Sequence, residues 1–114
     1  MNVEFARSGS TLVAKLSGEL DLLTAPSFRS QVDGALQESA SRNLVLELSK
    51  LSFVDSSGLG AILGRYKAVS QLGGRMLLVD PQPQVKRIFT LSGLFKIMDL
   101  APSLEQALEM VQEG

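Results

Sequence analysis

Two apolar strand patterns separated by a helical one constrain this chain more than any other feature. Asn43-Leu-Val-Leu-Glu-Leu48 puts Leu44, Leu46 and Leu48 on one side of a strand and Val45 and Glu47 on the other. Arg75-Met-Leu-Leu-Val79 is a second short apolar run. Between them Leu59, Ile62, Leu63, Tyr66 and Val69 recur at three- and four-residue intervals, the spacing of one buried helix face. A strand, a helix and a strand in that order predict a right-handed parallel crossover. At its strand–helix junction stand Asp55, Ser56 and Ser57, residue types whose side chains accept hydrogen bonds from the orphan N–H groups of a first helical turn. Leu51 and Phe53 are expected to anchor the loop that presents them. Gly58, Gly60 and Gly64 are poor helix formers. Gly58 and Gly60 are expected to leave the backbone uncovered beside the two hydroxyls, where a partner could approach.

The other segments fit around that unit. Val3 and Phe5 alternate with Glu4 and Ala6, and Leu12, Ala14 and Leu16 with Val13 and Lys15, across a turn at Ser8-Gly9-Ser10. This is the pattern of a hairpin with one apolar face, in a sheet covered mainly on one side. Thr24 is placed to cap a helix that tolerates Pro26 in its first turn and runs to about Ala40, with Phe28, Val32, Ala35 and Leu36 inward. Gly73-Gly74 supplies a left-handed end for the central helix. Asp80-Pro-Gln-Pro83 reads as a rigid turn. Val85, Ile88, Phe89 and Leu91 give the inner face of a short third helix ending near Ser92-Gly93. Residues 96–100 read as a fifth strand. Ser103 caps a last helix with Leu104, Ala107, Leu108 and Val111 inward. The fold class is α/β: one domain over residues 1–114, a mixed five-stranded sheet of an N-terminal hairpin plus parallel crossovers, with about four helices mainly on one face.

Composition narrows the chemistry. A length of 114 residues suits one domain, and 45% hydrophobic residues suffice for a core. That core should be aliphatic, since aromatics are 5% and Trp is absent. A net charge of −1 argues against nucleic-acid binding through bulk positive charge. No run approaches a membrane span and no basic-then-apolar leader opens the chain, so a cytoplasmic protein with no membrane partner is expected. Without cysteine there is no disulfide and no thiolate metal site. Without histidine there is no Ser-His-Asp hydrolase, no histidine phosphocarrier and no imidazole ligand. Serines are available, but nothing of the usual kind activates one from within. A phosphorylated serine here needs catalysis from a partner, and the chain is not expected to be an enzyme or to hold a metal or cofactor of its own.

Several residues keep two readings at this level. A hydroxyl at the start of a helix is either a cap or a switch. A phosphate there would sit on free N–H groups at the positive end of the helix dipole and add roughly −1.5 to −2 charges. Asp21 is either a turn carboxylate or part of a surface. Asp55 is a cap or an orienter of the serine hydroxyl. From Arg65 to Lys96, six bases (Arg65, Lys67, Arg75, Lys86, Arg87, Lys96) stand against Asp80 alone. They are solvated faces, or they meet an acidic partner or a phosphate.

Phe53-Val-Asp-Ser-Ser-Gly-Leu-Gly60, continued by Ala-Ile-Leu-Gly-Arg-Tyr-Lys67, resembles the phosphorylation-site signature of the STAS domain, in particular that of the bacterial anti-sigma factor antagonists. Gly18-Glu-Leu-Asp21, Gly73-Gly74 before a strand, and Val85-Lys-Arg-Ile-Phe89 followed by Ser92-Gly-Leu-Phe-Lys-Ile97 agree with it in order over most of the chain. The resemblance implies a protein whose unphosphorylated form binds an anti-sigma factor and frees its sigma factor. That anti-sigma factor would also be a serine kinase using ATP, and a metal-dependent serine phosphatase would reverse its action. The resemblance puts the phosphate on Ser57, leaves Ser56 to shape the loop, and brings Asp21 near Ser57 in a partner-binding surface with Asp55, Ser56, Gly58, Leu59 and Gly60. Leu94-Phe-Lys-Ile97 and Arg65-Tyr-Lys67 lean towards the sporulation branch. The chain itself has no Gly-x-x-x-x-Gly-Lys-Ser/Thr loop, and Gly58-Leu-Gly60 is only a weak phosphate-loop likeness. The alternative is a STAS scaffold or regulatory subunit of a stress-signalling or lipid/anion transport complex.

Overall fold

The alternating segments pair into one mixed sheet. The structure is a computed structural model and describes residues 1–113, with side chains through Gln112. Strands β1 (Asn2–Ser8) and β2 (Thr11–Leu20) form an antiparallel hairpin in which Ser8 faces Thr11. Strands β3 (Asn43–Val54), β4 (Met76–Val79) and β5 (Asp99–Ala101) follow, each parallel to the one before, in spatial order β1-β2-β3-β4-β5. Helices α1 (Ala25–Ser39), α2 (Ser56–Gln71) and α3 (Pro83–Ser92) lie on the crossovers, and α4 (Leu104–Glu113) follows β5.

Each crossover advances one strand in the same direction, so right-handed connections lay α1, α2 and α3 on one face. The core agrees. Phe28 and Val32 of α1, Ala61 and Ile62 of α2, and Val85 and Phe89 of α3 share one cluster with Leu12, Leu44 and Leu46 of the sheet. The opposite face is covered by α4, where Ala107 and Val111 pack with Val13, Val45 and Leu77. At the β3 entrance, the connection from α2 presses so close that a Cβ on Gly74 would lie 1.7 Å from the Arg42 carbonyl oxygen. Only glycine fits there.

The expected strand at 43–48 continues to Val54, and its length explains one misplaced residue. In the β2–β3 ladder Lys15 faces Glu47 but Ser17 faces Lys50, and Gly18 faces Leu51 but Glu19 faces Phe53. Each step inserts one extra residue into β3, a β-bulge. Because side chains alternate with period 2, each bulge swaps which parity points inward. Leu48, Leu51 and Val54 are therefore all buried at a spacing of three, and Phe53, expected as an anchor, is turned out and exposed. Polar side chains serve the backbone around the irregularities. Gln82 donates to the Ser49 carbonyl at 2.9 Å, Gln84 to that of Ser52 at 3.4 Å, and Ser49 N–H donates to Glu47 at 2.9 Å.

Three other expectations shift. On α2 the buried series is Gly58, Ala61, Ile62, Arg65 and Val69. Leu63, one position past Ile62, turns about 100° away and is exposed, while Leu59 and Tyr66 are only half-buried. On α3, Leu91 lies two residues beyond the buried Phe89, on the opposite side, and is exposed. Gly93 ends α3 in the left-handed conformation (φ 81°), and 94–96 coil into a single 3-10 turn with Leu94 buried, so β5 begins only at Asp99.

Candidate functional site

Strands β2 and β3 end side by side, with Leu20 paired to Val54, so the segments that follow leave from one edge of the sheet. Asp55 joins them. Its backbone is extended, as an N-cap requires, and its Oδ1 accepts the Gly58 N–H at 2.9 Å. Its Oδ2 accepts the Leu22 N–H at 3.1 Å. Its own N–H donates to the Leu20 carbonyl at 3.2 Å, and its carbonyl accepts from Leu59 N–H at 2.9 Å. Of the two readings of Asp55, the cap is the one the geometry supports. The second oxygen adds a bridge to the β2–α1 loop that the sequence does not foretell.

Asp21 organises that loop. Its Oδ1 accepts the N–H groups of Leu23 and Thr24, both at 3.0 Å, and its carbonyl accepts from Ala25 at 2.8 Å. Thr24 occupies the N-cap position of α1 but does not cap it with its side chain. Its hydroxyl accepts the Asp21 N–H at 2.9 Å and lies 2.9 Å from the Glu19 carbonyl, so it bonds back toward β2 instead of forward into the helix. Two chain neighbours of these residues escape the sequence reading: Leu22 and Leu23 are 70% and 87% exposed. Consecutive leucines between Asp21 and Thr24, in a polar turn with no periodicity, are the available signal.

Ser56 and Ser57 are the first two residues of α2, Ser56 exposed and Ser57 half-buried. Their N–H groups are among the orphans of a helix start, because the Asp55 carboxylate serves Gly58 and the Asp55 carbonyl serves Leu59. Gly58 does not leave backbone uncovered. It is buried, and a Cβ there would stand 2.5 Å from the Leu20 carbonyl and 2.8 Å from Val54 Cγ2. The glycine lets α2 seat directly on the end of β2. Gly60 is open: a Cβ added there would meet nothing among the described residues within 4 Å. The structure thus brings the loops of Asp21 and Asp55 together through Leu22 and sets Ser57, Leu59 and Gly60 beside them on α2.

Two of the six bases are engaged elsewhere. Arg65 is buried between α2 and α1, with Nε 3.0 Å from Asp33. The approach is an ion pair without hydrogen-bond alignment, and among the described residues neither Nε nor Nη1 has a hydrogen-bond partner. Burial lowers the guanidinium pKa from its ordinary value, Asp33 opposes that shift and Arg29 adds to it. Arg75 pairs with Asp99 at 2.6 Å and donates to the Met110 carbonyl. A cavity of about 450 Å³ between α1 and α2, lined by Asp33, Leu36, Gln37, Ala68, Gln71 and Leu72, opens at the far end of α2 from Ser57.

Comparison with known proteins converges on one domain family, whose fold also recurs within the murine anion transporter Slc26a9 (TM-score 0.82 at 22% identity, covering 96% of this chain and 19% of that one). The STAS domain family matches residues 2–107. An anti-sigma F factor antagonist of Paenibacillus polymyxa is 44% identical over 108 residues, covering 95% of this chain and 92% of that protein. The structure of the Bacillus cell fate determinant SpoIIAA in its phosphorylated form is 32% identical, with a TM-score of 0.75 over 96% of this chain and 99% of that one. The crystal structure of a candidate anti-sigma factor antagonist from Thermotoga maritima superposes with a TM-score of 0.90 at 25% identity, covering 96% of this chain and 94% of that one.

Proposed function

Because this chain belongs to the STAS domain family, we propose that it is an anti-sigma factor antagonist switched by phosphorylation of Ser57. The unphosphorylated form binds an anti-sigma factor that is also a serine kinase and so frees a sigma factor, of the sporulation class by likeness to the Paenibacillus relative. Phosphate transferred from the partner's ATP to Ser57 releases the complex, and a metal-dependent serine phosphatase restores the free hydroxyl. The protein acts in the cytoplasm.

The observation that carries this is the first turn of α2. A half-buried serine hydroxyl stands beside two orphan N–H groups on a helix whose cap is supplied by another residue, Asp55. A phosphate on Ser57 would therefore displace no cap. It would gain about 0.3–1 kcal/mol from the helix terminus, offset by the nearby carboxylate of Asp55. The fold tolerates the change, so the charge acts outward. In the complex, the same dianion would face the nucleotide diphosphate left in the kinase site. A repulsion of about 3 kcal/mol weakens binding by more than a hundredfold. Asp21, Ser56, Leu59 and Gly60 belong to the same docking surface. Asp55 and the buried Gly58 serve it by holding α2 and the β2–α1 loop in register.

The test is incubation with the anti-sigma factor/serine kinase of the same organism and ATP, read by intact mass and peptide mapping. One phosphate on the wild type, mapped to Ser57 and lost in Ser57→Ala, is expected, with Ser57→Asp binding the kinase at least about a hundredfold more weakly. Phosphate on Ser56, or none, would refute the assignment.

A further inference from the structure

We infer that Leu22 and Leu23 are the apolar anchor by which this protein docks on its kinase partner, next to but separate from the phosphorylated hydroxyl. The inference rests on the proposed function, since the occupant is the protein whose active site takes Ser57. Single exposed leucines are ordinary on a protein surface. Here two consecutive leucines, 70% and 87% exposed, project from a loop of only a few residues. That loop is held from both sides. Leu22 N–H is bonded to Asp55 and Leu23 N–H to Asp21. Burying side chains that stand on a fixed backbone forfeits little chain entropy, which is how a preorganised anchor gains affinity.

Position selects the occupant. The carboxylate that holds Leu22 also caps the helix on which Ser57 is the second residue, so a protein surface closing over that hydroxyl also covers the leucines. Charge defines what that surface looks like. Glu19 and Asp21 both precede the pair closely in the chain, and the fitting partner face is an apolar recess with cationic side chains at its rim. The recess lies beside the kinase's nucleotide site and not inside it. Docking and phosphoryl transfer then use different residues of this chain.

The experiment is calorimetric titration of the purified kinase with wild type, Leu22→Ser, Leu23→Ser and the double variant, with melting curves to verify folding. Leu72→Ser is the control; Leu72 is 55% exposed at the other end of α2. A loss of about tenfold for each leucine and about a hundredfold for the pair is expected, with Leu72→Ser within about twofold. In steady-state phosphorylation the variants should raise KM and leave kcat unchanged, which a merely structural role would not produce. Should the double variant melt early, Leu23→Gln alone carries the test. Wild-type binding matched within about threefold by the double variant (or by Leu23→Gln in its place) overturns the anchor and leaves the Ser57 switch standing. No binding by the wild type overturns both.

Discussion

Replacing Asp55 by alanine removes two hydrogen bonds, one at each end of a bridge. The first, to Gly58 N–H at 2.9 Å, is an N-cap, and losing such a cap costs about 1 kcal/mol. The second, to Leu22 N–H at 3.1 Å, is exposed and contributes about 0.5–1 kcal/mol. The negative charge at the helix start adds about 0.3–1 kcal/mol. The sum is about 2 kcal/mol. With a urea m-value of about 2 kcal/mol/M for a domain of this size, the unfolding midpoint should fall by about 1 M. Asp55→Asn is the informative companion. Asparagine is a good N-cap with one acceptor oxygen, so it keeps the Gly58 bond and turns an NH2 toward Leu22 N–H, where two donors meet. It should lose about half as much. Amide hydrogen exchange then separates the two ends of the bridge. Leu22 should exchange faster in both variants, and Gly58 only in Asp55→Ala. A midpoint shift below about 0.25 M for Asp55→Ala, or equal shifts for the two variants, would refute the two-ended bridge.

Gly58→Ala places a methyl group 2.5 Å from the Leu20 carbonyl, and the resulting displacement of α2 should cost about 1–3 kcal/mol, read as a lowered urea midpoint; wild-type stability in this variant would contradict the close seat of α2 on β2. Arg65 and Asp33 should respond unequally. Removing Asp33, whose side chain is half-exposed, leaves a desolvated guanidinium and should lower stability by about 1–2 kcal/mol, whereas Arg65→Met exchanges a desolvated cation for an apolar chain and should be neutral or stabilising. The sign for pH follows from the depressed Arg65 pKa. The folded state disfavours the charged form, so the penalty is present at every pH below the folded pKa and is relieved only on approach to it at high pH. The difference in stability between wild type and Arg65→Met should accordingly stay flat from about pH 6 to 9 in urea titrations.

Local patterns are legible in the sequence, and pairings between distant segments are not. The hairpin, the three crossovers and the last helix follow from alternation and helical spacing within a dozen residues, and the Asp55 cap from its place at a strand–helix junction. Phe53 is misplaced by its local pattern because the phase of β3 is set by its pairing with β2, where two extra residues are absorbed, and nothing within β3 announces them. Arg65 reads as surface charge until α1 brings Asp33 to it. The bond from Asp55 to Leu22 spans 33 residues, and so spacing alone cannot link the loop that carries Leu22 and Leu23 to Ser57. Gly58 stands out in the sequence at the right position and for the wrong reason: its missing side chain makes room for β2, not for a visitor.

The uniform strand order has a consequence for how this edge of the sheet can be addressed. In many open α/β sheets the order reverses once, and the two connections that part company there open a crevice in which small ligands settle. From β1 to β5 the order here never reverses. The connections after β2 and β3 leave in the same direction, and the ground between them is closed by the bridge from Asp55 to Leu22 and by Gly58 lying on Leu20. That edge has no such switch point, and the bridge joins its two loops into one continuous surface. A covalent mark on Ser57, as proposed above, would be presented on that joined surface to another protein.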